Sequence, residues 1–266
     1  MTLPFSSADR ALAQRTEAAD SAITSSLVIH ASGFDAERAP GGGWCLFGGA
    51  GSPLTHAVGA GMLPPAGAAE LDRIEDFYRG RGVGCYIDLC PLAETDFIAA
   101  IQSRPYRVIE LNNVMLRRIV PGECFPAPPP DLHPVTGAGL AEWGSVVARG
   151  FADGAAPTPQ TLAMMSVLAP RAHCFLAGGS AGAAMGIDDG VAWMFGDATL
   201  PEARGRGLQQ ALIRERLALA AGHGCELAGA AVLPGSASHR NYERAGFQLI
   251  YMRVNVVREF AREARP

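Results

Sequence analysis

The chain contains no lysine, and all 22 of its basic residues are arginines. A P-loop requires a lysine followed by serine or threonine directly after its glycines, so this type of nucleotide site is excluded. Basic charge is also outweighed, because 26 acidic residues give the chain a net charge of −4. A broad electrostatic surface for nucleic acid is therefore not expected.

Cysteine pairs and metal-ligand clusters are missing as well. No C-x-x-C spacing occurs among the six cysteines, which are Cys45, Cys85, Cys90, Cys124, Cys174 and Cys225. This pattern is typical of buried thiols in a reducing compartment. The six histidines are scattered without metal-ligand spacing, so no metal site is expected.

Long apolar runs and targeting segments are not apparent. No apolar run approaches the ~20 residues of a membrane span. The first ten residues, MTLPFSSADR, lack the basic and apolar segments of a secretory signal. We therefore expect a cytoplasmic protein that does not bind membranes.

A length of 266 residues is enough for one large domain or for two domains of about 130 residues each. The proline-rich segment PGECFPAPPPDLHP, residues 121–134, should be extended and semi-rigid. A linker explains this composition better than a recognition motif does. We therefore predict one domain over residues 1–120, a linker over 121–134 and a second domain over 135–266.

Both halves show the same order of predicted elements, strand, helix, strand, helix and strand. In the first half they are 55–62, 68–79, 85–89, 94–102 and 106–119, after a helix at 8–23 and a strand around 44–47. In the second half they are 194–200, 207–221, 226–233, 236–245 and 247–257. The Gly-Cys pair at 84–85 recurs at 224–225. This repetition indicates a duplicated module.

A glycine-rich turn opens the predicted helix over 207–221. It consists of Arg204, Gly205, Arg206 and Gly207. The first N–H groups of a helix have no acceptor within the helix, and the helix dipole makes them attractive to anions. The turn predicts a phosphate site, although a plain connection is the commoner role of such a turn.

Two motifs resemble those of the GNAT superfamily of acyl-CoA-dependent N-acyltransferases. The first is R-x-x-G-x-x at 204–209, where Gln209 replaces the usual glycine or alanine. The second is PGSASHRNYERAGF at 234–247, where Gly235 replaces the usual asparagine. The resemblance covers about residues 141–258. It implies an α+β fold of three αβα layers around a mixed, mostly antiparallel sheet, in two tandem GNAT-like domains.

The resemblance also implies a site for acetyl-CoA as co-substrate. Strand residues 196–200 would splay from 230–233 and hold the pantetheine arm, and the N–H groups of 204–209 would bind the pyrophosphate. The expected cofactor-binding residues are Ala198, Thr199, Leu200, Arg204, Gly205, Arg206, Gly207, Leu208, Gln209, Ser238 and Asn241. Tyr242 would protonate the departing thiolate, although a tyrosine in an amphipathic helix is otherwise a core residue.

Other polar residues near these motifs have simpler explanations. Ser236 is a good N-cap for the helix over 236–245. His239 is expected at a solvated helix position. No general base is assigned, because a water molecule can serve and several carboxylates compete. These are Asp188, Asp189, Asp197, Glu202 and Glu226.

The first half lacks the phosphate-binding turn. Its counterpart is Pro64-Pro65-Ala66-Gly67-Ala68, which has no arginine and has two residues without an N–H group. We predict a degenerate first module that does not bind the cofactor. The leading hypothesis is an acetyl-CoA-dependent N-acetyltransferase that transfers directly to a small amine within a ternary complex, in a monomer or homodimer. The alternatives are a non-catalytic acyl-CoA-binding regulatory module and a purely structural protein.

Overall fold

A computed structural model describes residues 9–260, which form two compact units. Unit 1 contains residues 113–250, and unit 2 contains residues 9–112 and 251–260. The chain therefore builds most of unit 2, then unit 1, and returns to unit 2 at Tyr251. This division differs from the expected domains 1–120 and 135–266, because strand pairing rather than chain order decides where the C-terminal strand belongs. Residues 1–8, which include most of MTLPFSSADR, and residues 261–266 lie outside the described residues.

Unit 2 is built from three helices and from strands that pair in chain order before the C-terminal strand joins them. The elements are α1 (Arg10–Val28), β1 (Asp35–Arg38), β2 (Trp44–Phe47), β3 (Ala57–Val58), α2 (Ala68–Arg79), β4 (Cys85–Leu89), α3 (Thr95–Gln102) and the first half of β5 (Arg107–Arg118). The predicted helix 68–79 and strand 85–89 are confirmed at their bounds. The predicted strand 55–62 shortens to two residues. The predicted strand 106–119 is one continuous strand, β5.

The sheet of unit 2 contains one parallel contact. β1, β2 and β3 pair antiparallel, and β3 runs parallel to β4 with Ala57 opposite Ile87. The end of β11 (Gln248–Arg258) pairs antiparallel with β4, so that Asn255 lies opposite Asp88. The C-terminal segment thus completes the sheet that the first half of the chain begins.

Unit 1 contains the remaining elements. They are β6 (Leu132–Val135), α4 (Gly139–Phe151), α5 (Pro159–Leu168), β7 (His173–Ala177), β8 (Ala181–Asp188), β9 (Val191–Thr199), α6 (Leu208–Gly222), β10 (Leu227–Val232) and α7 (Ala237–Arg244). Its strands follow the order β5-β10-β9-β8-β7-β6, and only β9 and β10 are parallel. The prediction of a mixed, mostly antiparallel sheet in an α+β fold is confirmed.

Helices cover both faces of the unit 1 sheet. A Cβ atom on Gly182 of β8 would meet Trp143 and Val147 of α4. The next strand residue, Ala183, belongs to a core cluster with Leu212 of α6. Because successive strand residues point to opposite faces, α4 and α6 lie on opposite sides of β8. Unit 1 therefore has the three expected layers.

The proline-rich segment is only partly a connection. Residues 119–131 carry no helix or strand, as expected for a linker. The predicted linker over 121–134 nevertheless includes part of β6, where Pro134 lies opposite Phe175 of β7. β6 is the edge strand of the sheet, and an edge strand tolerates proline because one side of it needs no N–H donor.

Two stretches of the chain share the order strand, helix, strand, helix, strand. The first is β3-α2-β4-α3-β5, and the second is β9-α6-β10-α7-β11, each with its first two strands parallel. None of the helices between residues 9 and 260 combines the length and the apolar character that a bilayer crossing requires.

Candidate active site

Strand β9 separates from β10 partway along its length. The parallel register between them ends at Met194 opposite Ala230, whereas the pairing of β9 with β8 continues to Thr199. Gly196 lies just beyond the end of the register and has a φ of 67°, which favours glycine. The register between β8 and β9 shifts at this position, because the step from Gly182 to Ala184 on β8 lies opposite the longer step from Ala198 to Phe195 on β9. The expected splay of residues 196–200 from 230–233 therefore has a local cause in a bulge at Gly196.

The turn before α6 leaves a run of backbone donors open. Gly205 and Gly207 have φ values of 76° and 77°, and a Cβ atom at either position would meet nothing within 4 Å. The first helical bond is donated by Ala211 to the Gly207 carbonyl. Among the described residues, no group accepts from the N–H groups of 205–210. The turn and the first turn of α6 thus have the open donors that an anion site needs.

The side chains of the two arginines in the turn differ in their contacts. The guanidinium of Arg204 donates from Nε to the Thr199 carbonyl at 3.2 Å and lies 2.6 Å from an Asp153 carboxylate oxygen. Arg206 is exposed. The Thr199 carbonyl is therefore used by Arg204, and Arg206 is the freer cation beside the open amides.

Gln209 points toward α7. Its Nε2 donates to Ser238 Oγ at 2.9 Å, and its Oε1 accepts from Asn241 Nδ2 at 2.7 Å. The three residues expected to contact the cofactor through these side chains are thus bonded to one another. Their side chains join the start of α6 to α7. Because the Gln209 side chain is held there, its backbone N–H stays open even though the usual glycine or alanine is absent.

Tyr242 lies in the core, with only 1% of its surface exposed. Its hydroxyl donates to Asp197 Oδ2 at 2.8 Å, and its ring packs edge-on against Phe247 at 4.9 Å. Asp197 also binds the buried guanidinium of Arg216, with Nη1 3.0 Å from Oδ2 and Nη2 close to Oδ1. In this arrangement the phenolic proton is directed at a carboxylate.

The buried triad of Asp197, Arg216 and Tyr242 fixes the protonation of its members. Burial raises the pKa of Tyr242, and Asp197 raises it further against the opposing effect of Arg216, so the phenol stays neutral. Burial alone would lower the pKa of Arg216, but the carboxylate of Asp197 outweighs burial and raises it. Arg216 therefore stays charged, and the phenol of Tyr242 stays neutral, across the physiological range.

Arg216 was not singled out by the sequence. It lies in α6 among the buried residues Leu212, Leu217 and Ala220, where the repeat of apolar residues would place another apolar side chain. An arginine on the core face of an amphipathic helix could have predicted a buried ion pair, because a buried guanidinium group needs an acidic partner. Asp197 is that partner.

The position of His239 differs from the prediction. It was expected at a solvated helix position, but its Nδ1 accepts from the Gly235 N–H at 3.1 Å. Its Nε2 lies 3.5 Å from Asn113 Nδ2 and 3.6 Å from Glu243. Asn113 is 2% exposed on β5. The bonds of His239 therefore fix the loop between β10 and α7. Ser236 caps α7 as predicted, because its Oγ accepts from the His239 N–H.

The other candidate bases, Asp188, Asp189, Glu202 and Glu226, are exposed. Asp188 ends β8, and Asp189 occupies the following turn with a φ of 42°. Glu202 is exposed and lies 4.0 Å from Arg149. Asp197, by contrast, is saturated by Arg216 and Tyr242. Between residues 9 and 260, no group of three His, Cys, Asp or Glu side chains is placed to hold a metal ion.

Comparison with known proteins identifies the family of this site. Residues 164–247, which run from α5 to the end of the second motif, match the family model described as the acetyltransferase (GNAT) family. This segment is a GNAT acetyltransferase domain. No curated protein matches the sequence.

Solved structures show the same fold. A GCN5-related N-acetyltransferase from Kribbella flavida is 20% identical, with a TM-score of 0.53 over 73% of this chain and 76% of that one. A GCN5-related N-acetyltransferase from Sphaerobacter thermophilus is 17% identical, with a TM-score of 0.52 over 72% of this chain. This chain spans 65% of the length of that relative. A tandem GNAT protein from the clavulanic acid biosynthesis pathway is 12% identical, with a TM-score of 0.52 over 72% of this chain and 69% of that one.

Proposed function

We propose that the protein is an acetyl-CoA-dependent N-acetyltransferase that acts on a small amine by direct transfer within a ternary complex. The GNAT family uses acyl-CoA as a co-substrate, and unit 1 carries the GNAT domain. The choice of acetyl, of a small amine acceptor, of a monomer or homodimer and of a cytoplasmic location belongs to the proposal.

The observation that supports it most is the row of open amides over residues 205–210. A diphosphate accepts hydrogen bonds from such a row without needing a lysine, which this chain lacks. Arg206 supplies a positive charge beside the row. The side chain of Gln209 is the one that could cover this row of amides, but it is bonded to Ser238 and Asn241 and leaves the row open.

The splayed end of β9 supports a place for the thioester. Beyond Met194 the strand no longer pairs with β10, so the edge of residues 195–199 that faces away from β8 can bond to an amide-containing arm. In the proposed reaction the nitrogen of a neutral amine bonds to the thioester carbon, and the carbon–sulfur bond then breaks. The amine loses one proton, and the departing thiolate gains one.

The proposed reaction also needs a source for the thiolate proton. Tyr242 is the proposed acid, but its proton is directed at Asp197, and the hydroxyl must turn away before it can reach a sulfur atom. The same observation favours a second candidate function, a non-catalytic module that binds acyl-CoA. In that case the triad of Asp197, Arg216 and Tyr242 is purely structural.

We also propose that unit 2 is a degenerate GNAT-like module without a nucleotide site. Its α2 begins at the place where α6 begins in unit 1, but Glu70 Oε2 accepts from the Gly67 N–H at 3.0 Å. A carboxylate in the first turn of a helix occupies a donor and repels phosphate. Pro64 and Pro65 remove two further N–H groups. Both features support loss of the cofactor site from unit 2.

Calorimetric titration with acetyl-CoA, followed by a turnover assay, tests the proposal. We expect one binding event per chain, and release of free thiol from acetyl-CoA when amino acids, polyamines or aminoglycosides are supplied as acceptors. Binding without thiol release from any amine would favour the non-catalytic module. No heat with either acetyl-CoA or coenzyme A would refute both candidates.

A further inference from the structure

Unit 2 contains a cleft of about 1560 Å³ that the proposed acyl transfer does not use. All of its lining residues belong to unit 2. Its lining includes largely buried polar side chains, here called the floor, and more exposed arginines together with the carboxylate of Glu259, here called the rim. The floor contains His56, Asp88 and Asn255. The rim contains Arg79, Arg81 and Arg258.

Strand pairing brings the floor residues together. Asp88 of β4 lies between Val58 of β3 on one side and Asn255 of β11 on the other. His56 comes two residues before Val58, and its Nδ1 lies 3.2 Å from Asp88 Oδ2. This contact fixes the imidazole ring and directs its Nδ1 proton at the carboxylate, as in the pairing that orients functional histidines.

Two polar atoms on the floor have no partner. His56 Nε2 and Asn255 Oδ1 are both buried, and no described residue bonds to either. Buried polar atoms are nearly always satisfied, so an unsatisfied pair in a cleft calls for a missing group. The oxygen and nitrogen of an asparagine amide exchange places by a half-turn, so Asn255 can present Nδ2 at the same point. The floor can therefore offer two N–H donors to the same cleft.

The rim adds cationic donors. Arg258 uses Nη1 for both oxygens of the buried Glu75, and Arg81 uses Nη1 for the Phe77 carbonyl at 2.7 Å and Nη2 for Asp35. Each guanidinium carries five N–H donors, so these contacts leave others for a ligand. The ring of Phe260 packs 4.6 Å from the Arg79 guanidinium and helps to hold it in place.

We propose that this cleft is a binding site for a small organic anion, which accepts hydrogen bonds from His56 Nε2 and from the Asn255 amide. The site lies outside the GNAT domain and does not depend on acyl transfer. An imidazolium held by Asp88 presents an N–H group at Nε2, which a carboxylate or phosphate oxygen satisfies. The rim arginines attract the same charge.

The charge state of His56 agrees with this assignment. Burial alone would lower the pKa of His56, but the facing Asp88, with a smaller contribution from Asp20, outweighs burial and raises it. The other charged groups of the cluster are Glu17 and Asp20 on α1 and Arg253 on β11, which bonds to both of them. Anion affinity should therefore fall as the pH rises through the pKa of His56.

Calorimetric titration of the full chain tests the site without measuring acyl transfer. The probes are succinate, inorganic phosphate and the neutral succinamide, each tested without coenzyme A. We expect succinate or phosphate to bind and succinamide not to bind. Asn255→Asp places a negative charge on the floor and should weaken the anion at least tenfold, and His56→Gln should do the same. Asn112→Asp makes the same charge change outside the cleft lining and should have no effect.

Both cleft variants are checked for folding by thermal denaturation, and Asn255→Ser replaces Asn255→Asp if the latter unfolds. The site is supported if succinate or phosphate binds to the wild type, if the cleft variants weaken that binding, and if Asn112→Asp leaves it unchanged. The proposal is overturned if no anion binds to the wild type, if succinamide binds equally well, or if both cleft variants leave affinity unchanged. Acetyl-CoA titration of the same variants distinguishes failure of the anion site from failure of the proposed acetyltransferase, because it measures the nucleotide site alone.

Discussion

The hydroxyl of Tyr242 donates to the carboxylate of Asp197 across 2.8 Å, at the point where β9 leaves β10. Asp197 is in turn held by the fully buried Arg216. The residue that the motif marks as an acid is therefore part of a buried ionic network. This hydrogen bond could therefore affect both catalysis and folding stability, and variants can measure the two effects separately.

Tyr242→Phe removes only the hydroxyl. Hydrogen bonds to charged groups contribute about 1.5–3 kcal/mol, so we expect the free energy of unfolding of unit 1 to fall by roughly that amount. If the hydroxyl also protonates the thiolate, turnover should fall at least a hundredfold while the dissociation constant of coenzyme A stays unchanged. Urea denaturation, calorimetry and thiol release measure the three quantities.

Tyr106→Phe is the matched control for this substitution. It removes a part-buried hydroxyl that donates to Glu75 in unit 2, far along the chain from the motif. It should leave turnover unchanged. Full turnover in Tyr242→Phe would mean that the tyrosine has no role as an acid and that the triad is structural.

Arg216→Met should be the most damaging single change in unit 1. It leaves the largely buried Asp197 without its cation, and loss of one partner from a buried ion pair costs about 3–5 kcal/mol. The double variant Arg216→Met with Asp197→Asn should lose much less than the sum of the two single variants. Tryptophan fluorescence in a Trp44→Phe background follows unit 1, because Trp143 and Trp193 both lie there. Additive losses would show that the ion pair contributes nothing as a pair.

The sequence predicted several elements well, because their signals are local. The helix at 68–79 and the strand at 85–89 have apolar spacing and glycine stops that no tertiary contact overrides. Ser236 was recognised as a cap for the same reason, since a cap bonds within its own first turn.

The contacts between elements could not be predicted from the sequence. Gln209 occupies a motif position where a large side chain could keep a phosphate away from the backbone. Only its bonds to Ser238 and Asn241 show that the side chain is directed elsewhere. Arg216 pairs with a carboxylate nineteen residues away on another element. The return of residues 251–260 to unit 2 depends on the pairing of β11 with β4, and chain order carries no information about that pairing.

Gly207→Pro should abolish coenzyme A affinity. Gly207 has a φ of 77°, whereas proline is restricted to about −65° and has no N–H, so the turn must rearrange and lose a donor. Gly224→Ala is the control, because Gly224 at the other end of α6 has a φ of 73° and equally open surroundings. It should cost about 1 kcal/mol of stability without affecting affinity. Unchanged affinity in Gly207→Pro would mean that the nucleotide binds elsewhere.

Gln209→Ala restores a small residue at the last motif position. Because its amide links α6 to α7, we expect a loss of roughly 1–2 kcal/mol in the free energy of unfolding. Coenzyme A affinity should stay equal or rise, since only the backbone N–H of residue 209 is assigned to the phosphate. Gln102→Ala, at the exposed end of α3, should change neither quantity. A tenfold loss of affinity in Gln209→Ala would instead place its side chain on the nucleotide.

The His56–Asp88 pair should make the stability of unit 2 depend on pH. The raised pKa of His56 means that its contribution is fully present below its unfolded value of about 6.5 and is lost as the pH rises through the folded value. Burial alone would raise the pKa of Asp88, but His56 outweighs burial and lowers it, so the contribution of Asp88 is lost as the pH falls through that value. The pair should therefore stabilise the unit most between about pH 4 and pH 6.5.

The difference in unfolding free energy between the wild type and His56→Gln isolates this contribution. Urea denaturation at a series of pH values should give the largest difference in that window and a declining one in alkali. His30→Gln removes an exposed histidine just beyond α1 and should show no such dependence. A difference that grows steadily above pH 7 would mean that His56 is held neutral, because only a neutral imidazole becomes more stabilising as protons are withdrawn.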